Sequence, residues 1–381
     1  MMARIQSVDA LRGIAMLLML LDHVREYFFL HRQVSDPMAL ENTEASLFVM
    51  RFAAHLCPVI FVFLSGSAIW LYAQRHNTTR RDLAVYLLRR GAFLVLLELT
   101  VVNFAWTFQF PPSMIYLQVI WAIGLCMMAM AGLVLLPVPV LWLLFGALVA
   151  GHNLLDPIAF TPDSPFYLPW AILHDRSTLV FGEYLKARTS YPILPWLGLM
   201  GLGYLAARWF SAQRDIHRRM RITALAGCAL LLAFALLRGL HGYGAAHDWQ
   251  VQDGMFTTLL AILNVTKYPP SLHYLLLCGG MMCLLLALLQ QLEQRGAAVL
   301  APLSVFGKAP LFFYLLHLYV LHLLYHLAIE LWGLNQGERF GFDSPWGNLC
   351  LSFLLIPPLY FACRAFIAWR KNTRNPLVRM L

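Results

Sequence analysis

The sequence predicts an all-α polytopic membrane protein with about ten transmembrane helices, N-terminus and C-terminus both cytoplasmic, in a single domain over residues 1–381. Three observations predict it: too little charge for a soluble body, ten apolar stretches of spanning length, and an uneven distribution of arginine. Of the 381 residues 60% are hydrophobic and 12% charged, against about 45–50% and about 25% in soluble globular chains. That composition excludes a soluble enzyme and, equally, intrinsic disorder. A hydrocarbon core of about 30 Å takes about 20 residues per helix.

In chain order the stretches run over 8–29, 51–73, 84–105, 115–136, 138–155, 192–210, 221–240, 270–290, 302–328 and 348–369. The first is read as a mature helix and not a cleavable signal, because its apolar core runs into Asp22-His23 with no small-residue cleavage site. The fifth is short and broken by Gly151-His152-Asn153. Segments 156–191 and 241–269 are long connections on the outer side. The helices that follow them open with Tyr191-Pro192 and Tyr268-Pro269, where proline suits a first helical turn and tyrosine an interface.

Orientation follows the positive-inside rule. With the N-terminus inside, the inner segments hold Arg4, Arg12, Arg75, Arg80, Arg81, Arg89, Arg90, Arg208, Arg214, Arg218, Arg219, Arg221, Arg295, Lys308, Arg364, Arg370, Lys371, Arg374 and Arg379. These are nineteen of the 28 Lys+Arg. Both termini inside requires an even number of spans. The net charge of +9 is accounted for in this way, and no basic run interleaved with aromatics points to a nucleic-acid partner. The seven cysteines all sit in apolar runs without a CxxC, as small buried hydrophobes.

Titratable side chains at mid-membrane cost a few kcal/mol and mark function by default. They are Asp22, His23, Arg25 and Glu26 in the first stretch, His55 in the second, Glu98 in the third, and His317 and His322 in the ninth. Counted along unbroken helices, His23, Glu98 and His317 each lie about 22 Å from the inner edge, and His55 about 24 Å. Four helices thus bring polar groups to one level. At about 100° per residue, Asp9, Arg12, Met16, Met19 and His23 fall on one face of the first helix, with Glu26 nearby. Arg12 and His23 are about 16 Å apart along the axis. A basic mouth and a deep histidine suit an extended ligand with an anionic head, such as coenzyme A, for which Asp9, Arg12 and Lys308 are the head-binding residues.

Histidine serves acyl transfer as base or as nucleophile near neutral pH. Asp22 or Glu26 would orient the His23 ring. The competing reading is an ion-paired patch of Asp22, His23, Arg25 and Glu26. His322, His326 and Glu330 recur every fourth residue, at metal-ligand spacing on one helix face, though no cysteine or second HxxxH closes a site and no metal is expected. His317 stands about 140° from His322. A bis-histidine haem is an alternative on residue type, and a proton-coupled transporter is another for the same buried cluster. His76, His152, His174, His217, His241 and His247 read as solvated.

Arg4 to Ala15 (RIQSVDALRGIA), followed by an apolar run ending Leu21-Asp22-His23, resembles the opening of transmembrane acyltransferases. The similarity is to the heparan-alpha-glucosaminide N-acetyltransferase catalytic-domain family and its bacterial relatives. Arg51 to Gly66 (RFAAHLCPVIFVFLSG), Leu117 to Gly124, Tyr191 to Tyr204, Tyr268 to Leu272 and Phe306 to His322 extend it over nearly the whole chain. The resemblance implies acyl transfer from cytoplasmic acetyl-CoA, or another acyl-CoA, to a sugar-like or envelope-glycan acceptor on the far side, in a bacterial inner membrane. It implies a catalytic histidine at His23 or His31. His31 falls near the lysosomal member's histidine, whereas the broader acyltransferase-three group favours His23. No metal or prosthetic group is implied; the partners are the bilayer, acyl-CoA and the acceptor, and a homo-oligomer is compatible.

Overall fold

A computed structural model of the chain describes residues 5–182, 184–209, 215–245, 247–375, 378 and 380–381. Arg4, Arg214 and Arg379, three of the arginines used for orientation, lie outside them. The helices are α1 (Gln6–Phe28), α2 (Ala45–His76), α3 (Arg80–Leu97), α4 (Asn103–Thr107), α5 (Val119–Leu133), α6 (Val138–Gly151) and α7 (Tyr167–Leu173). They continue with α8 (Ile193–Ala206), α9 (Ile216–Gly239), α10 (Met255–Leu263), α11 (Leu272–Gln294), α12 (Leu300–Lys308), α13 (Pro310–Trp332) and α14 (Pro345–Asn372).

Six of the described helical segments are long and apolar enough to cross a membrane: α2, α6 with the turn that follows it, α9, α11, α13 and α14. Helices α5 and α8 are apolar but shorter, at 15 and 14 residues. Helix α1 carries Asp9, Arg12, Asp22, Arg25 and Glu26 along its length.

Three expectations are corrected. The stretch 302–328 is two helices, broken at Ala309 (φ −132°, ψ 53°). Pro310 supplies no N–H and disfavours helical backbone in the residue before it, so the depth counted for His317 along an unbroken helix from Pro302 does not apply. The stretch 115–136 opens as a strand, β1 (Met114–Leu117), in a three-stranded sheet with β2 (Thr178–Phe181) and β3 (Leu185–Thr189), ordered β1-β3-β2. β3 pairs parallel to β1 and antiparallel to β2. Finally, Pro192 is the N-cap of α8, but Tyr268-Pro269 lies in a turn before α11 begins at Leu272.

The chain forms two compact units, one of Pro58–Leu284 and one of Ile5–Cys57 with Leu285–Leu381. In the first, α3 packs on α5, and α8 on α5 and α6. In the second, α1 packs against α12, α13 and α14. The crossing of α1 and α12 is backbone-to-backbone: a Cβ on Gly13 would stand 2.0 Å from the Leu303 carbonyl oxygen, and one on Gly307 1.8 Å from that of Asp9. Small residues permit such approach where no hydrophobic effect drives association.

Candidate functional site

The site is built on α1, whose placement is fixed at both ends of its axis. Its N-cap, Ile5, offers no side-chain acceptor, so the first amides need a partner from elsewhere. Glu293 of α11 supplies it: Oε1 accepts from Gln6 N at 3.0 Å and Oε2 from Ser7 N at 3.2 Å. A carboxylate there also faces the positive end of the helix dipole. One helical turn on, Arg12 donates to the Gly307 carbonyl at 3.0 Å and lies 3.5 Å from Asp9. Arg370 of α14 donates to the Lys308 carbonyl at 2.7 Å. Two guanidiniums therefore close the C-terminal end of α12, whose last carbonyls have no partner within the helix. This is where the proposed head-binding residues Asp9, Arg12 and Lys308 lie.

Toward the other end of α1, His23 meets His317 of α13. His23 Nδ1 and His317 Nε2 are 2.7 Å apart, and the rings stack with centroids 5.0 Å apart and 14° between planes. The Tyr314 ring sits edge-on to both, at 6.0 and 5.8 Å. His317 is fully buried, and its Nδ1 lies 2.7 Å from the Phe313 carbonyl oxygen. A carbonyl only accepts, so His317 Nδ1 carries its proton and, in the neutral ring, Nε2 carries a lone pair. That lone pair accepts from His23 Nδ1–H, which places the lone pair of neutral His23 on Nε2. The backbone of α13 thus sets the tautomer of both rings. It is the arrangement of a catalytic histidine held by an orienting partner.

Asp22 and Glu26, considered from sequence as that orienting partner, are engaged by arginine. Arg25 donates from Nε and Nη2 to Asp22 Oδ1 at 3.2 and 3.1 Å, and from Nη2 to Glu26. Arg51 of α2 donates to both Asp22 oxygens at 3.3 and 3.2 Å. Arg25 is 2% exposed and Arg51 is buried as well. Two guanidiniums and two carboxylates thus balance in charge beside the histidine pair, which is how buried ions are tolerated. The ion-paired patch and the histidine site coexist, with His317 hydrogen-bonded to the His23 ring.

The remaining sequence candidates fall as follows. His55, buried, stands one turn beyond Arg51 on α2, its ring 6.0 Å from that of Phe52. His31 lies beyond α1 in a short turn, Leu30–Arg32, against the Phe29 ring at 4.8 Å. A Cβ on Gly341 would reach 2.5 Å from its Nδ1. Loss of solvent, and then the neighbouring Arg32 charge, hold the His31 pKa below its ordinary value, with Asp343 opposing. Glu98 belongs to the other unit. It starts a π-helical turn, Glu98–Val102, and its Oε2 accepts from Trp121 N at 3.3 Å at the start of α5. Asn103, five residues on and therefore on the same face of the π turn, accepts from Tyr116 N at 3.3 Å. Glu98 is a cap for the helix that Gln118 itself leaves without a side-chain acceptor.

Sequence reasoning missed Arg51, Glu293 and the Phe313 carbonyl. Arg51 and Glu293 carry a readable signal, a charge at the edge of a long apolar run. Among the described residues no group of three or more His, Cys, Asp or Glu is placed to hold a metal ion.

Residues 4–240 match the family described as heparan-alpha-glucosaminide N-acetyltransferase, catalytic. The chain matches none of the curated proteins with which it was compared. The family match includes α1 with His23 and all of α2 with Arg51, and it ends before α13 and His317.

Proposed function

The chain belongs to the heparan-alpha-glucosaminide N-acetyltransferase catalytic family, and from that premise we propose that it moves an acetyl group from cytoplasmic acetyl-CoA to a sugar-like acceptor across the membrane, with His23 as the catalytic residue. The whole of 1–381 acts as one catalytic domain of ten spans in a bacterial inner membrane, both termini cytoplasmic. The observation that carries the reading is the hydrogen bond from His23 to His317 at 2.7 Å, backed by His317 on the Phe313 carbonyl.

Acetyl-CoA supplies a thioester, whose carbonyl carbon is the electrophile. His23 Nε2 takes the proton of the acceptor's amine or hydroxyl as that atom attacks. The C–S bond breaks, the imidazolium returns the proton to the thiolate, and the acylated acceptor and CoA–SH leave. During the step the positive charge on His23 is spread toward His317 through the Nδ1–H···Nε2 bond. The balanced Asp22, Arg25, Arg51 and Glu26 group keeps α1 in register.

The test is transfer of labelled acetyl from acetyl-CoA to glucosamine in membranes containing the protein. His23→Ala is expected to abolish transfer while His31→Ala retains it; the reverse result would move the site to His31. Incubation with labelled acetyl-CoA and no acceptor separates the two routes, since label on a His23 peptide would mean an acetyl-imidazole carrier in place of a base.

A further inference from the structure

His322, His326 and Glu330 stand at successive turns of α13 and take no part in the chemistry assigned to His23. The Nε2 atoms of His322 and His326 are 2.9 Å apart and the ring centroids 4.7 Å apart. Without an ion, one Nε2 bears the proton that the other accepts. The same convergence is that of a chelate. Metal–nitrogen bonds of about 2.0–2.1 Å set two nitrogens about 2.9 Å apart at a right angle, and about 3.3 Å apart at a tetrahedral one. The rings therefore already hold the spacing of a square-planar or octahedral edge and need open only by a few tenths of an ångström for a tetrahedral one.

His322 is buried, while His326 and Glu330 are exposed toward the C-terminal end of α13. Behind His322, Nδ1 lies 3.4 Å from the Tyr27 hydroxyl, with the rings edge-on at 5.6 Å. The Tyr27 hydroxyl both donates and accepts, so when an ion takes the Nε2 lone pair it can accept from the proton on Nδ1.

We propose that His322 and His326 form an open two-histidine site for a borderline divalent cation, Zn²⁺, Ni²⁺ or Cu²⁺, with water in the remaining positions and Glu330 as the nearest carboxylate along that face. On binding, the N–H···N bond between the rings is replaced by two nitrogen–metal bonds, and the displaced proton moves to Nδ1 of its ring. No oxidation or reduction is involved. Imidazole nitrogens select these ions over Mg²⁺ and Ca²⁺, which take oxygen ligands.

The experiment uses the full-length protein purified in detergent. Equilibrium dialysis against ZnCl₂ is expected to find a site in the wild type that is lost, or weakened at least roughly tenfold, in His326→Ala and in the double variant His322→Ala/His326→Ala. MgCl₂ should show no such difference. Electron paramagnetic resonance with one equivalent of CuCl₂ should show two equatorial nitrogens in the wild type and fewer in His326→Ala. Equal zinc uptake by wild type and His326→Ala, or an unchanged copper spectrum, overturns the site. The exposed His326 position carries the decision if the buried His322 variant fails to fold. Acetyl transfer is not the readout, so this site and the proposed function stand or fall separately.

Discussion

His317 accepts the Nδ1 hydrogen of His23 at 2.7 Å while its own Nδ1 hydrogen is held by the Phe313 carbonyl. One main-chain oxygen thereby fixes which nitrogen of a ring on another helix is basic. His317→Ala removes that control and leaves His23 present. Transfer should fall by about 10²–10⁴ in kcat, the scale of a misdirected catalytic imidazole, with KM for acetyl-CoA little changed. Initial rates with labelled acetyl-CoA and glucosamine check it; a His317→Ala enzyme with wild-type kcat would remove the dyad from the mechanism.

Asp22 is the carboxylate that Arg25 and Arg51 share. Asp22→Asn leaves two buried guanidiniums facing a neutral amide, and breaking a buried pair costs about 3–5 kcal/mol. Thermal unfolding in detergent should therefore drop well below wild type for Asp22→Asn and much less for His23→Ala. Equal melting points for the two would mean that the ion group does not hold α1.

A methyl group at Gly13 or Gly307 has nowhere to go without parting α1 from α12, because the atom it meets is backbone in each case. Gly13→Ala and Gly307→Ala should each destabilise by about 1–3 kcal/mol or more. Both should lower transfer through displacement of His23, measurable as a joint loss of melting temperature and activity. Ala15→Gly, on the same helix, supplies the comparison in which a methyl group is removed rather than added.

His31 binds protons less readily in the folded chain than at its ordinary value of 6.5. The unfolded chain then takes up a proton first as pH falls, so stability is retained above that value and declines as pH drops through 6.5 toward the lowered pKa. His31→Asn should flatten this acid-side decline in melting temperature and leave transfer near neutral pH intact. A His31 pKa at or above 6.5, read from its imidazole NMR signals, would contradict the assignment.

Much of the helical layout was legible because lipid-spanning helices announce themselves by length and apolarity, as α2, α9, α11, α13 and α14 do. The break at Ala309-Pro310 was also written in the sequence, but a continuous apolar run from Pro302 overrode a single proline. β1 was hidden because Met114–Leu117 is as apolar as the helix that follows, and its partner β3 comes from a segment read only as a connection. Asp22, His23 and Glu26 stood out by residue type alone. The local pairing of Arg25 with Asp22 and Glu26 was legible too, but Arg51 on Asp22 and His317 on His23 were not, since they arrive through tertiary packing that periodicity does not encode. Glu98 shows the converse: a buried carboxylate earned attention as chemistry, and its observed contacts are those of a helix cap.

The two histidines that meet are 294 residues apart in the chain. At about 5–20 residues per second of synthesis, α1 is made roughly 15–60 s before α13 emerges. During that interval Arg25 can already pair with Asp22 and Glu26 on the same helix, and Arg51 follows soon after, so the charges of α1 are neutralised before its distant partner exists. The ion group thus suits an early helix that must wait in the translocon or bilayer, and the basic nitrogen of His23 is defined only once α13 has been made. A chain ending before α13 would keep the whole of the family's matched region, yet lack the His317 that sets the His23 tautomer.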